Sequence, residues 1–105
     1  MKIKVKKEGR EGVYLVEKEE IKKYLKNEGY EMIHNYPAPT GGMLIGADHS
    51  LESVLEDIDK SERIAILTGS AGLNNMGHSL SVIIENKLEL FDIGEITEKD
   101  LEIQD

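Results

Sequence analysis

Three histidines, a pair of asparagines and a few hydroxyls and carboxylates are the side chains of this 105-residue sequence best suited to chemistry. Most of them fall in two glycine-rich stretches. The longer reads Gly69-Ser-Ala-Gly-Leu-Asn-Asn-Met-Gly-His78. Gly69, Gly72 and Gly77 let the backbone take positive φ and approach a ligand closely. Ser70, Asn74, Asn75 and the His78 imidazole, with Ser79 just beyond, supply donors and acceptors. The stretch follows an apolar run, and loops at strand ends are where rigid scaffolds carry function. Glycine and asparagine are also what an ordinary turn requires, so the composition suits a plain connection equally well. The shorter stretch covers residues 40–49, with Thr40, Gly41 and Gly42 at one end and Asp48 and His49 at the other. Asp48 and His49 precede an amphipathic segment, where free helical N–H groups attract anions. Asp48 and Ser50 are equally suited to capping that segment.

Spacing excludes several chemistries. Gly72-Leu-Asn-Asn-Met-Gly77-His78-Ser79 has the spacing of a phosphate-binding P-loop, but His78 stands where the lysine belongs. A mostly neutral imidazole does not replace that fixed cation, and the following LSVII reads as strand rather than helix. GxGxxG, the dinucleotide fingerprint, is absent. His34, His49 and His78, with Asp48, have the donor types for zinc or iron, yet no HxH, HxxxH or HExxH spacing links them. His78 with Ser70 or Ser79 lacks the GxSxG elbow of a hydrolase nucleophile. The acidic stripe of Glu52, Glu56, Asp57 and Asp59 lies on a helix face without the turning loop of a calcium site, and reads as solvated. No cofactor is indicated by any motif.

Composition bounds the rest. There is no cysteine, so disulfides, thiolate metal sites and thiol nucleophiles do not arise, and a reducing, cytoplasmic setting is expected. The N-terminus alternates charge with Ile3 and Val5 and has no apolar core of a signal peptide. No apolar run approaches the ~20 residues of a membrane span. The net charge is −8, and it is polarised: residues 1–27 hold nine basic against five acidic side chains, residues 28–105 four against sixteen. The acidic body repels nucleic acid and anionic membrane. The Lys2, Lys4, Lys6 row lacks the aromatics that stack bases and suits protection of a sheet edge. The polarity also suits head-to-tail association into a homo-oligomer. Eleven lysines against two arginines, with abundant Glu, is a trait shared with hyperthermophile proteins.

The elements that must position these residues can be read from periodicity. Residues 2–7 and 13–16 alternate as strands and form a hairpin across Gly9 to Gly12. From Glu17 the period becomes helical, with Ile21, Tyr24 and Leu25 on one face and Gly29 at the C-terminal end. Tyr30 to Tyr36 is extended; Pro37 and Pro39 then forbid a regular ladder, Gly41–Gly42 turn the chain, and Met43 to Ile45 suit a short strand. A second helix starts at Ser50 and presents Leu51, Val54, Leu55 and Ile58. Residues 64–68 read as a strand buried on both faces. Leu80 to Ile84 and Leu88 to Ile93 follow as two strands around Asn86–Lys87. Thr97 with Asp100, and Ile96 with Leu101, suit a short terminal helix or a frayed end.

The expectation is a single α+β domain over residues 1–105, a mostly antiparallel sheet with two helices on one face. The alternative order is a split β-α-β core of ferredoxin-like type over residues 13–68, with an added C-terminal hairpin. The expected function is a binding or regulatory module. It would take a small polar molecule or a protein partner on residues Thr40, Gly41, Gly42, Asp48, His49, Gly69, Ser70, Gly72, Asn74, Asn75, Gly77 and His78. The competing readings are a small enzyme with His78 or His49 as general acid/base beside Asp48, and a structural subunit of a larger assembly.

Overall fold

Alternation at the N-terminus produces the first hairpin. Strands β1 (Ile3–Lys7) and β2 (Val13–Val16) pair antiparallel, with Val5 opposite Val16 and Lys7 opposite Tyr14. Gly9 and Gly12 in the connection have φ of 128° and 81°, a region that other residues enter only with strain. The structure, a computed structural model, describes residues 2–37, 47–68, 79–85, 87–94 and 98–104. Helix α1 (Lys18–Asn27) buries Ile21, Tyr24 and Leu25. It ends in a left-handed glycine: Gly29 has φ 75°, its N–H reaches the Lys26 carbonyl, and the Tyr30 N–H reaches the Leu25 carbonyl. This paired closure satisfies two carbonyls that a bare helix end would leave open. The Tyr30 hydroxyl then donates to the Ile93 carbonyl, tying the helix exit to the far end of the chain.

Strand β3 (Met32–Pro37) pairs antiparallel with β4 (Ala47–Ser50), which runs directly into helix α2 (Leu51–Lys60). Ser50 caps α2, its Oγ accepting from the Ser53 N–H at 3.2 Å. The Leu51 N–H is taken by the Glu31 carbonyl at 2.9 Å. Strand β5 (Arg63–Leu67) is buried at Ile64, Ala65 and Ile66, on both faces. Strands β6 (Ser79–Ile84) and β7 (Lys87–Asp92) complete the antiparallel part. A 3-10 turn at Glu98–Asp100 leads to β8 (Leu101–Gln104), which lies parallel to β1.

The fold is α+β: among the described residues there are two helices and one eight-stranded sheet in the order β4-β3-β7-β6-β5-β2-β1-β8, and only the β1–β8 pairing is parallel. Register explains the core. Val5 and Val16, Tyr14 and Ile66, Ile64 and Val82, and Leu80 and Phe91 are cross-strand partners and share one parity. All join a single buried cluster with Ile21, Tyr24 and Leu25 of α1 and Val54 and Ile58 of α2. The helices are also joined at the surface, where Lys22 of α1 meets Asp59 of α2 at 2.8 Å.

Several expectations are corrected. The ferredoxin-like alternative does not occur, because that order needs β4 beside β2, whereas β4 pairs with β3 at one end of the sheet and β3, β7, β6 and β5 separate it from β2. The β6–β7 hairpin is inserted in the middle of the sheet rather than added at its side. Leu80, Val82 and Phe91 are fully buried and Leu90 nearly so, which an edge position would expose. The C-terminal segment forms a strand, because β1 offers Leu101 a buried place beside Ile3. The lysines of β1 therefore border no edge; β8 covers that strand. Pro37 remains in the ladder as the last residue of β3, opposite Glu89. Asp59 is engaged with Lys22 rather than simply solvated. The expected turn at Gly41–Gly42, the strand at Met43 to Ile45, and Ile96 and Thr97 lie outside the described residues.

The parallel strand gives the first prediction. Leu101 is 5 % exposed, so Leu101→Ala should lower the free energy of unfolding in urea by about 2–3 kcal/mol, as for a buried leucine. A frayed terminus would leave the urea midpoint unchanged.

Candidate functional site

The β3–β4 hairpin brings together two residues that lie 14 apart in sequence. His34 and Asp48 are cross-strand partners, and His34 Nδ1 stands 2.9 Å from Asp48 Oδ1. A carboxylate can only accept, so the ring nitrogen facing it is the protonated one, and the tautomer with the lone pair on Nε2 is selected. Both side chains are partly exposed, at 41 % and 65 %. The bond is therefore screened, and it orients the imidazole more than it stabilises the fold.

The same row continues across the sheet. The register of β3 and β7, which ends at the Asn35–Phe91 pair, gives the next positions, His34 and Asp92, the same parity, and Ser79 of β6 is paired with Asp92. Ser79 is buried at 2 % exposure. Asp92 Oδ1 accepts from the Gly94 N–H at 2.9 Å, which fixes the backbone just after β7. Asp48, His34, Asp92 and Ser79 thus form a polar line on one face, from the free edge of β4 to the sheet centre. Leu67 of β5 closes that line opposite Ser79, and residues 69–78 connect β5 to β6 from this same sheet end.

Asp48 and His49, expected in a loop before α2, are strand residues, and neighbours on a strand face opposite ways. His49 therefore does not share a site with Asp48. It shares the core-side parity of Ile33, and its ring meets Phe91 edge-on with centroids 5.9 Å apart. Asp48 serves His34 instead. The start of α2 is also less open to an anion than expected, since Ser50 and Glu31 already engage two of its first N–H groups.

Beside His49 lies a second titratable group. Glu89 of β7 has Oε2 sealed from solvent, with no hydrogen-bond partner among the described residues. Burial raises its carboxyl above the ordinary glutamate value, helped by the charge of Asp57 on α2 and a hydrogen bond with it. His49 pulls in the opposite direction.

Thr40, Gly41, Gly42, Gly69, Ser70, Gly72, Asn74, Asn75, Gly77 and His78 lie outside the described residues. The strand ends that carry their two stretches stand in different rows. β3 ends at Pro37 beside Glu89, whereas β6 begins at Ser79 beside Asp92. Three residues of strand, about 10 Å, separate those rows. Among the described residues, no three His, Asp or Glu side chains converge as a metal site, and no helix is long and apolar enough to cross a membrane. Sequence reasoning weighed His34 with Asp48 only as metal donors and did not single out Asp92 or Glu89. The signal for His34 was present: two strands flanking a Pro/Gly turn place residues on each side opposite one another.

In nitrogen-detected NMR, His34 should report the proton on Nδ1. Asp48→Asn should redistribute the two tautomers, while changing stability by less than about 1 kcal/mol. Unchanged nitrogen shifts in the variant would show that Asp48 does not orient the ring. Comparison with family models, with curated proteins and with solved structures yields no match for this chain.

Proposed function

We propose that this protein is a small binding or regulatory module. Its ligand, a small polar molecule bearing hydrogen-bond donors or a positive charge, would rest on the Asp48–His34–Asp92–Ser79 line. The observation that supports the reading is the His34–Asp48 bond at 2.9 Å in that row. Two carboxylates and an oriented imidazole favour donors and cations over phosphates. The net charge of −8 gives the same preference at long range and disfavours nucleic acid. On this reading the polar residues of the two glycine-rich stretches, Thr40, Gly41, Gly42, Ser70, Asn74, Asn75 and His78, complete the ligand's surroundings. The absence of cysteine suits an intracellular, cytoplasmic setting.

A second reading has one observation in its favour. A carboxylate-oriented imidazole is the acid/base unit of many enzymes, so His34 takes the role that the sequence suggested for His49. Proton transfer on a bound polar substrate is the reaction class that such a pair serves.

A thermal-shift screen with polyamines, amino acids, sugars, nucleotides and divalent cations tests the binding reading. Donor-rich or cationic compounds should raise the unfolding temperature by a few degrees at about 100 times Kd. His34→Ala and Asp92→Asn should each abolish the shift, and Glu52→Gln, remote on α2, should keep it. Stabilisation by nucleotides alone, or a shift that survives both site substitutions, would reject this reading. Conversion of a stabilising compound by the wild-type protein but not by His34→Ala would favour the enzyme.

A further inference from the structure

The chain has two arginines, and both close on the same carboxylate. Glu8, in the turn after β1, accepts through Oε2 from Arg10 Nη2 at 2.6 Å and from Arg10 Nε at 2.8 Å. The same oxygen accepts at 3.2 Å from Nη2 of Arg63, which lies 55 residues further along the chain. Glu8 Oε1 accepts from Arg10 Nε at 3.2 Å and from the Arg10 backbone N–H at 3.3 Å. Register shows how far Arg63 reaches. The Glu8 N–H donates to the Val13 carbonyl, and Val13 is paired with Leu67. Arg63 lies four residues before Leu67 on the same parity, so its side chain extends along that face past Ala65.

The carboxylate is the covered member of the cluster: Glu8 is 13 % exposed, against 73 % for Arg10 and 49 % for Arg63. A guanidinium carries five N–H donors, and the bonds to Glu8 use two of Arg10 and one of Arg63. One negative charge against two positive leaves the cluster cationic, and Lys4 and Lys6 share the strand parity of Glu8 on β1. Two planar forks and a backbone N–H are a donor set suited to a carboxylate, and Glu8 is a carboxylate already seated in it. Exposed ion pairs are weakly held, and releasing Glu8 needs a side-chain rotation alone. Gly9, the next residue, has φ 128° and nothing within 4 Å of where a Cβ would stand, so the turn is open on that side.

We propose that Arg10 and Arg63 form a binding site for the carboxylate of a ligand, with Glu8 as the internal occupant that the ligand replaces. The site is separate from the Asp48–Asp92 line and opposite to it in sign. Glu8 stands beside Val13 in the row of Leu67, Ser79 and Asp92, so four strand spacings, about 19 Å, separate it from Asp92. The side-chain hydrogen bond from Arg10 holds the Glu8 carboxyl below the ordinary glutamate value, so near neutral pH Glu8 competes as an anion. A tethered occupant lowers the apparent affinity for a free carboxylate by the fraction of molecules in which the site is open.

The test titrates the protein with succinate at constant ionic strength and follows the arginine Nε–H signals by NMR. Two arginines give two signals, and both should move together and saturate. Glu8→Gln removes the competing charge and should tighten succinate binding at least about fivefold. Adding Arg63→Lys keeps the charge but loses the fork, and should undo that gain. Lys23→Gln, which removes an exposed charge on α1, should leave the affinity unchanged. Without any variant, the Glu8 carboxyl carbon signal of the wild-type protein should shift toward that of a free glutamate as succinate is added. A static Glu8 signal would overturn the proposal, as would an affinity that does not rise in a Glu8→Gln protein whose amide spectrum is that of the folded chain. An equal loss in Lys23→Gln would reduce the effect to general charge attraction and reject the site. Inorganic phosphate binding more than about tenfold tighter than succinate would reject a carboxylate as the ligand class.

Discussion

The central hairpin of β6 and β7 sets the register on which the rest of the sheet depends. β6 holds β5 on one side and β7 on the other, and β7 in turn carries β3. One parity of these strands, Leu80, Val82 and Phe91, is fully buried and belongs to one cluster with side chains of both helices. A slip of one residue would turn that whole set away from the core, so the pairing is strongly specified. The other parity keeps Leu90 and Ser79 buried but gives Asp92 a place beside His34. Core and candidate site are thus two sides of the same alternation.

This arrangement assigns different work to the two ends of the sheet. At the Asp92 end, the polar line from Asp48 to Ser79 borders the point where residues 69–78 begin and end. At the Glu89 end, Glu89 stands opposite Pro37, the last described residue of β3, with one carboxyl oxygen sealed from solvent. The adjacent residues Asp48 and His49 lie on opposite faces, because a strand turns successive side chains to opposite sides, and α2 is the direct continuation of their strand.

Charge is used in the same divided way. The ion pairs of Lys22 with Asp59 and Arg10 with Glu8 are exposed and contribute modestly at the surface. The Glu89 carboxyl differs, because one of its oxygens is sealed from solvent and burial disfavours its charged form.

Local elements were legible in the amino-acid sequence wherever one periodicity or one cap decides them. β2, the buried face of α1, the Ser50 cap of α2 and the two-sided burial of β5 all follow from short-range pattern. The left-handed turn at Gly29 follows from a glycine just past a helical repeat. Pairing partners were a different matter, since contacts between distant strands depend on loop closure and total burial, which no local window records. Tertiary structure alone placed β6–β7 in the middle of the sheet, drew β8 alongside β1, and made a strand of residues 47–50. That last decision separated His49 from Asp48 and gave Asp48 to His34. Residue types therefore announced which chemistry was available, and the strand register determined which of those residues meet.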